Sequence, residues 1–191
     1  MPALTPEAAA RQRAAGPSLF YFYSPPESHE DLSFTDRCLA RGMPGAMTPG
    51  YGYNHNYQIL QTPDYVVISI ELIHDVRLIP LDGRPHPSQR IRHWLGDSRG
   101  HWDGDTLVVD LIHFNDQTWF DRAGNLHSED LHVVERYTRS GPDHLTYDVT
   151  IEDPTVFTRP WKMSMPIYRR QEEDIRLLEY ECYAYVQSEV Q

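Results

Sequence analysis

The chain has 191 residues, 40% of them hydrophobic and 12% aromatic, a composition that can bury a core without metal or disulfide support and lies far from that of disordered chains. Its formal charge of −11 at pH 7, with a pI near 5.3, repels both a phosphate backbone and an anionic bilayer surface, which excludes nucleic acid and membranes as expected partners. The longest apolar stretch, Tyr65 to Ile73, is interrupted by Ser69 and Glu71 and falls well short of the roughly 18 residues of a membrane span.

The N-terminus, MPALTPEAAARQRAAG, lacks the apolar segment of a signal peptide, which fits either a cytoplasmic protein or a mature chain whose signal has been removed. Residues 5–15 read as a helix. Thr5 is a good N-cap, Pro6 suits the first helical position, and Glu7 to Ala15 are strong helix formers. Alanines and arginines give this helix little to bury, so it reads as an arm lying on the body or on a neighbouring subunit. From Gly16 to Gly52 the chain is rich in Pro, Gly, Ser and aromatics without a sustained period, with a second short helix expected over Asp31 to Arg41. The expected organisation is an N-terminal arm and irregular segment over 1–52 packed on an antiparallel β domain over 53–191, one structural domain in all.

From Tyr57 the pattern changes to strands. Tyr57–Thr62, Tyr65–Ile73 and Val76–Leu81 are β-branched and aromatic, broken by Thr62-Pro63-Asp64 and His74-Asp75. Further strands are expected at Thr106–Phe114, Leu131–Arg139, His144–Glu152, Lys162–Tyr168 and Ile175–Tyr185, with turns at Asp103-Gly104-Asp105, Gly124-Asn125, Ser140-Gly141-Pro142-Asp143 and Asp153-Pro154. Short connections and no intervening helices predict a mainly β fold. It is either an antiparallel up-and-down barrel or a strongly curved sheet, lipocalin-like in outline, closed around a small-molecule-sized cavity.

The strand faces supply candidate chemistry. Residues 144–152 alternate, with Leu145, Tyr147, Val149 and Ile151 on one side and polar groups on the other, as in a half-buried antiparallel strand. Tyr65–Ile73 is apolar on both faces but for Ser69 and Glu71. A carboxylate among Val, Ile and Leu has a raised pKa and suits general acid or base work, unless it forms a structural ion pair with Arg77. His74 ends that strand and either shuttles protons or caps a turn at Asp75, and the Glu71-x-x-His74 spacing converges only across a bulge or turn. His127 lies in a loop, where it is either catalytic or turn-stabilising. His113 alternates with Val109 and Leu111 and so points inward, whereas Asp110 has the opposite parity and faces Arg136 or solvent. Asp82, Arg84 and His86 form an anion-binding candidate within what is first of all an Asp-Gly-Arg-Pro turn.

Ten histidines invite a metal hypothesis, but no His-x-His, His-x-x-His or Cys-x-x-Cys pair occurs, so no metal ligands are assigned. G-x-S-x-G, Walker and dinucleotide-binding signatures are absent too, and no cofactor is expected. Cys38 and Cys182 are far apart in sequence and admit either a disulfide, in an oxidising compartment, or two buried thiols.

The segments IPLDGRPH (79–86), WLGDSRGHWDGDTLVVD (94–110), LHVVERYTR (131–139) and IEDPTVFTRPW (151–161), with Asp36-Arg37-Cys38 and Glu179-Tyr180-Glu181-Cys182, resemble a large, mostly uncharacterised family of bacterial proteins that are often exported. Where members often continue after the second cysteine with His-Glu-Gly-Asn, this chain reads Tyr183-Ala184-Tyr185-Val186. Export, as the resemblance implies it, makes a Cys38–Cys182 disulfide chemically accessible.

These readings converge on a small-molecule enzyme that works by cofactor-independent acid/base chemistry of isomerase, lyase or cyclase type. Glu71 would be the acid or base, His74 or His127 its proton partner and Arg77 an anion stabiliser. Tyr53, Tyr57 and Tyr65 would line the entrance, with His113 and Trp102 as further substrate contacts. The rival readings are a non-catalytic binding barrel for a small hydrophobic ligand and a structural or interaction module. The apolar run Leu19-Phe20-Tyr21-Phe22-Tyr23 predicts either cover for its own barrel or a two-fold homodimer in which the arm crosses the partner.

Overall fold

The computed structural model describes residues 1–15, 37–39, 43–44, 47, 55–118, 120 and 125–180. Two antiparallel sheets carry the fold. One has three strands in the order β1-β2-β3 and the other five in the order β4-β5-β6-β7-β8. The strands are β1 Tyr57–Gln61, β2 Tyr65–Ile70, β3 Val76–Pro80, β4 Asp97–Asp103, β5 Thr106–Ile112, β6 His132–Gly141, β7 His144–Glu152 and β8 Trp161–Tyr168. Every pairing joins consecutive strands, as a meander does, but β8 does not return to β1, so the sheets stay open and no barrel closes. The mainly β, curved-sheet reading holds; its barrel variant does not.

The core lies between the inner faces. Val66, Ile68 and Ile79 of the smaller sheet and Leu107, Val109, Leu111, Val133, Tyr147, Val149 and Ile151 of the larger one are buried together, with Met43 and Met47 fully enclosed beside them. Full burial of an aliphatic side chain stabilises by about 1.5–3 kcal/mol, so these alternating positions dominate the energetics of the fold.

Between the sheets, Arg77 of β3 pairs with Glu135 of β6, Nη2 to Oε2 at 2.5 Å. Tyr147 Oη donates to Glu135 Oε1 at 2.7 Å, and Arg77 Nη1 donates to Tyr137 Oη at 3.2 Å. Burial, then the Glu135 charge, pushes both phenols well above the usual tyrosine range, so both remain protonated donors. Arg77 is therefore not the partner of Glu71. The two share parity only on a continuous strand, and the strand does not continue.

β2 stops at Ile70, three residues short of the sequence expectation. Ile70 N–H donates to Asp75 C=O at 2.8 Å, closing a hairpin whose loop holds a single 3-10 turn over Leu72–His74. Ile73 (φ 64°) and His74 (φ 50°) occupy the left-handed region, which is unusual for any non-glycine residue and most of all for a β-branched one. Leu72 and Ile73 are both buried in this geometry, so core packing offsets the backbone cost.

β4 was not anticipated as a strand. DSRGHWD is polar and interrupted by glycine, and reads as a corner. Its pairing with β5 through the Gly104 turn (φ 58°) overrides local propensity. Gly100 is needed there: a Cβ would lie 2.7 Å from Ile79 Cγ2 and 2.8 Å from Leu81 Cδ2, so only glycine lets β4 approach β3. The strand expected over Ile175–Tyr185 is absent from the described part of that range, and residues 181–185 lie outside it.

Helix α1, Pro6–Ala15, forms as expected, with Thr5 Oγ1 accepting from Ala8 N–H at 3.2 Å. It lies on its own body. Thr5 N–H donates to Val156 C=O at 2.9 Å, Leu4 bridges to Phe157, and Arg11 pairs with Asp116 at 3.4 Å. Among the described side chains of the helix, only Ala8 reaches the core. The second helix over Asp31 to Arg41 falls largely outside the described residues, where Arg37 and Cys38 form a turn, and the run Leu19–Tyr23 lies wholly outside them.

Candidate functional site

Antiparallel register gathers four side chains on the outer face of the five-stranded sheet. Arg99 of β4 is opposite Asp110 of β5, and Asp110 is opposite Val134 of β6. Cross-strand partners share a face, as do positions two apart, so Asp97, Arg99, Asp110 and His132 project on one side. The loop between β3 and β4 adds His86. Arg99 Nε donates to Pro85 C=O at 3.2 Å and its Nη1 to Asp97 Oδ1 at 2.9 Å, fixing the loop where His86 meets the sheet.

His86 lies between two carboxylates, with Nδ1 2.6 Å from Asp97 Oδ2 and Nε2 2.9 Å from Asp110 Oδ2. Each ring nitrogen of His86 thus faces a carboxylate oxygen within hydrogen-bond reach. The other oxygen of Asp110, Oδ1, meets His132 Nε2 at 2.6 Å. One carboxylate thus joins two imidazoles while 40% of its side chain stays open to solvent.

His113 follows β5 and adopts φ 61°, so it leaves the inward parity expected of it. Its ring stands edge-on to that of His86, 5.8 Å between centroids, and its buried Nδ1 has no hydrogen-bond partner. A parallel segment locks this corner: His93 N–H donates to His113 C=O at 2.9 Å, and Asn115 N–H to His93 C=O at 3.0 Å. At Gly96 (φ 70°) a Cβ would come within 2.8 Å of the Phe114 ring, so the segment closes only with glycine.

The electrostatics divide the histidines. The hydrogen bond that His132 donates to Asp110 raises the pKa of His132 against an opposing effect of burial. Burial, then the nearby His86 charge, lowers that of His113. Asp110 is itself held below the ordinary carboxylate value, first by its bond to His132. Around the Asp110–His86 pair, His132 is thus shifted toward its charged form and His113 toward its neutral form.

The four residues expected to be catalytic do not form one site. Glu71 is buried and accepts a hydrogen bond on Oε2 from Asn56 Nδ2, while Asn56 accepts from Arg170 at 3.1 Å. His74 is exposed and donates from Nδ1 to Tyr180 C=O at 3.1 Å. His127 is buried, its Nδ1 donating to Ser128 C=O at 3.1 Å and its Nε2 2.6 Å from Thr118 Oγ1. Burial lowers its pKa, so the neutral ring accepts from that hydroxyl and ties two loops together. No side chain of Glu71, His74, Arg77 or His127 bonds to another of the four.

Tyr65 is on the outer face of the smaller sheet, where its hydroxyl accepts from Arg84 Nη2 at 3.2 Å. Arg84 also chelates Asp82, so the anion-binding candidate there is already satisfied internally. Tyr57 begins β1 on the inner face, Trp102 is 46% exposed near the β4–β5 turn, and Tyr53 lies outside the described residues. Of the predicted substrate contacts, only His113 joins the cluster. Asp110 does not face Arg136, which pairs with Asp103 at 2.7 Å.

Sequence reading noted His86 and Asp110 singly but could not join them, because what brings them together is the register of β4, an unanticipated strand, with β5 and β6. Cys38 is disulfide-bonded, and Cys182 lies outside the described residues. Among the described residues no group of three or more His, Cys, Asp or Glu has the geometry to hold a metal ion. Comparison of the chain with protein-family models, curated proteins and solved structures finds no match.

Proposed function

We propose that this chain acts on a small organic molecule by cofactor-independent acid/base chemistry, of isomerase, lyase or cyclase type, at the outer-face cluster of His86, Asp110, His113 and His132. The observation that carries the reading is the Asp110 carboxylate, hydrogen-bonded to two imidazoles yet open to solvent. A general acid or base must be within hydrogen-bond reach of a substrate, and this group is, whereas the buried Glu71 is engaged by Asn56. In this reading His132, held protonated by Asp110, donates a proton. His113, kept neutral, accepts one, and His86 holds the carboxylates in place between them. Arg99, bonded through Nη1 and Nε, offers Nη2 to an anionic oxygen of the substrate.

The test begins with ring-carbon NMR of the histidines during a screen of small carbonyl and carboxylate compounds, followed by turnover assays on those that shift His86, His113 or His132. Asp110→Asn and His113→Gln are each expected to lower turnover by roughly 100-fold or more, the usual contribution of a positioned acid or base, with the unfolding midpoint little changed. Turnover that survives both substitutions but is lost in Glu71→Gln would return the chemistry to Glu71.

A further inference from the structure

The chain between β3 and β4 is fixed at both ends by backbone bonds. Leu81 N–H donates to Asp64 C=O at 2.8 Å, and His93 N–H to His113 C=O at 2.9 Å. Between these points residues 82–91 bury almost nothing. Asp82 to Pro85 and Ser88 to Ile91 are exposed, and only His86 and Pro87 are half-buried. A segment with so little apolar packing depends on its polar contacts to stay in place.

Among the described residues, this stretch is hydrogen-bonded to the body through Arg84, Pro85 and His86 alone. Arg84 Nη2 donates to Tyr65 Oη at 3.2 Å, and Pro85 C=O accepts from Arg99 Nε at 3.2 Å, both at exposed positions. The other two contacts belong to one ring, His86 Nδ1 to Asp97 Oδ2 at 2.6 Å and Nε2 to Asp110 Oδ2 at 2.9 Å. An imidazole carries hydrogen on both nitrogens only in its charged form, whereas the neutral ring has one donor and one lone pair. Once a proton is lost, one carboxylate therefore meets a lone pair at the same short distance, which is repulsive. Asp110 does not relieve this by taking up a proton, because its bond to His132 holds it below the ordinary carboxylate value. The charged and titratable groups around the ring are Asp97 and Arg99 of β4, Asp110 of β5 and His113 after it. His132 of β6 and Arg92 lie one contact further out.

We propose that His86 is a proton-operated latch. With hydrogen on both ring nitrogens it pins residues 82–91 against the outer face of the five-stranded sheet. When the ring loses a proton, the segment lifts and uncovers Asp97 and Asp110. Asp97 gains most, since its side chain is only 14% exposed while the ring covers it. The latch governs access to the cluster whatever chemistry occurs there, so it stands or falls separately from the acid/base reading. A switch of this kind needs one titrating group and one weakly packed element, and both are present in the same ten residues.

Backbone and ring NMR of the full chain over a pH series tests it. The heteronuclear NOE of the Ser88 to Ile91 amides is expected to be high while His86 is protonated. It should fall through the midpoint at which the His86 ring carbons titrate. Tryptic cleavage after Arg90 gives a second readout, with the unmodified chain and His86→Phe compared at each pH so that the protease's own pH dependence cancels. His86→Phe keeps a ring but neither nitrogen. It is expected to be cut roughly ten-fold faster than the unmodified chain below the midpoint and at a similar rate above it, since cleavage follows the open population. Should His86→Phe misfold, the NOE series on the unmodified chain decides alone. Loop amides that stay rigid through the His86 midpoint, or a cleavage ratio that does not change with pH, overturn the latch.

Discussion

Arg77 Nη2 and Glu135 Oε2 are 2.5 Å apart, with 2% and 0% of their side chains exposed, and they are the charged link between the two sheets. A buried pair adds little when complete, because desolvation opposes its attraction, but breaking it strands a charge. Glu135→Gln and Arg77→Met are each expected to lower unfolding free energy by about 3–5 kcal/mol, and the double variant by clearly less than the sum. Urea denaturation of the three variants measures this, and single-variant losses near zero would refute it. Glu71→Gln, which keeps an oxygen for Asn56, is expected to cost no more than about 1 kcal/mol.

The two flanking histidines are expected to titrate apart. Ring-carbon NMR should give His132 a midpoint above 6.5 and His113 one below it. Asp110→Asn should bring His132 back toward 6.5. Stability from the raised His132 is fully present below 6.5 and lost as pH rises through its folded midpoint, while that from the lowered Asp110 is present above 3.8 and lost as pH falls through its folded value. Both groups are well exposed, so the combined effect on unfolding is expected to stay below about 1 kcal/mol.

Asp75 is a further pH-dependent group, with the opposite sign from an ordinary ion-paired carboxylate. Burial, partly countered by His74, pushes its pKa up to about 6 from 3.8. Its contribution is most favourable below 3.8 and declines as pH rises through about 6, so at neutral pH the charged form burdens the fold. Asp75→Asn is expected to raise stability at pH 7.5 by roughly 1 kcal/mol, after allowing for partial exposure, and to do little at pH 4. Melting curves at the two pH values check it; equal shifts at both would remove the electrostatic account.

Gly100→Ala is expected to destabilise by about 1–3 kcal/mol, because its Cβ would press on Ile79 and Leu81 and Ile79 is fully buried. A change under 0.5 kcal/mol in chemical denaturation, a typical surface value, would mean that β4 shifts freely against β3.

Periodicity made the apolar strands legible. β6 and β7 carry two-residue alternation and β5 an apolar run, and the predicted limits of all three agree with the structure to within about two residues. It failed where tertiary contacts override local preference. Glu71 sits in an apolar run that reads as one long strand, yet the left-handed Ile73 and His74 turn the chain there. β4 is polar because its outer face carries Asp97 and Arg99 of the candidate site, so the residues of most chemical interest concealed the strand that holds them. His86 and Asp110 were visible singly, and His132 only as one polar position of a strand. That they meet depends on a register no single strand encodes.

The docking of α1 on residues 155–158 constrains the order in which the molecule assembles. Thr5 and Thr158 each form contacts about 150 positions apart in the chain, Thr5 N–H with Val156 C=O and Thr158 N–H with Ala3 C=O. A ten-residue helix that, among its described side chains, buries only Ala8 is too short and too polar to persist alone. At ~5–20 residues per second of synthesis, residues 3–5 wait on the order of ten seconds for the turn that fixes them. Helix α1 therefore takes its place late, only after β7 has emerged.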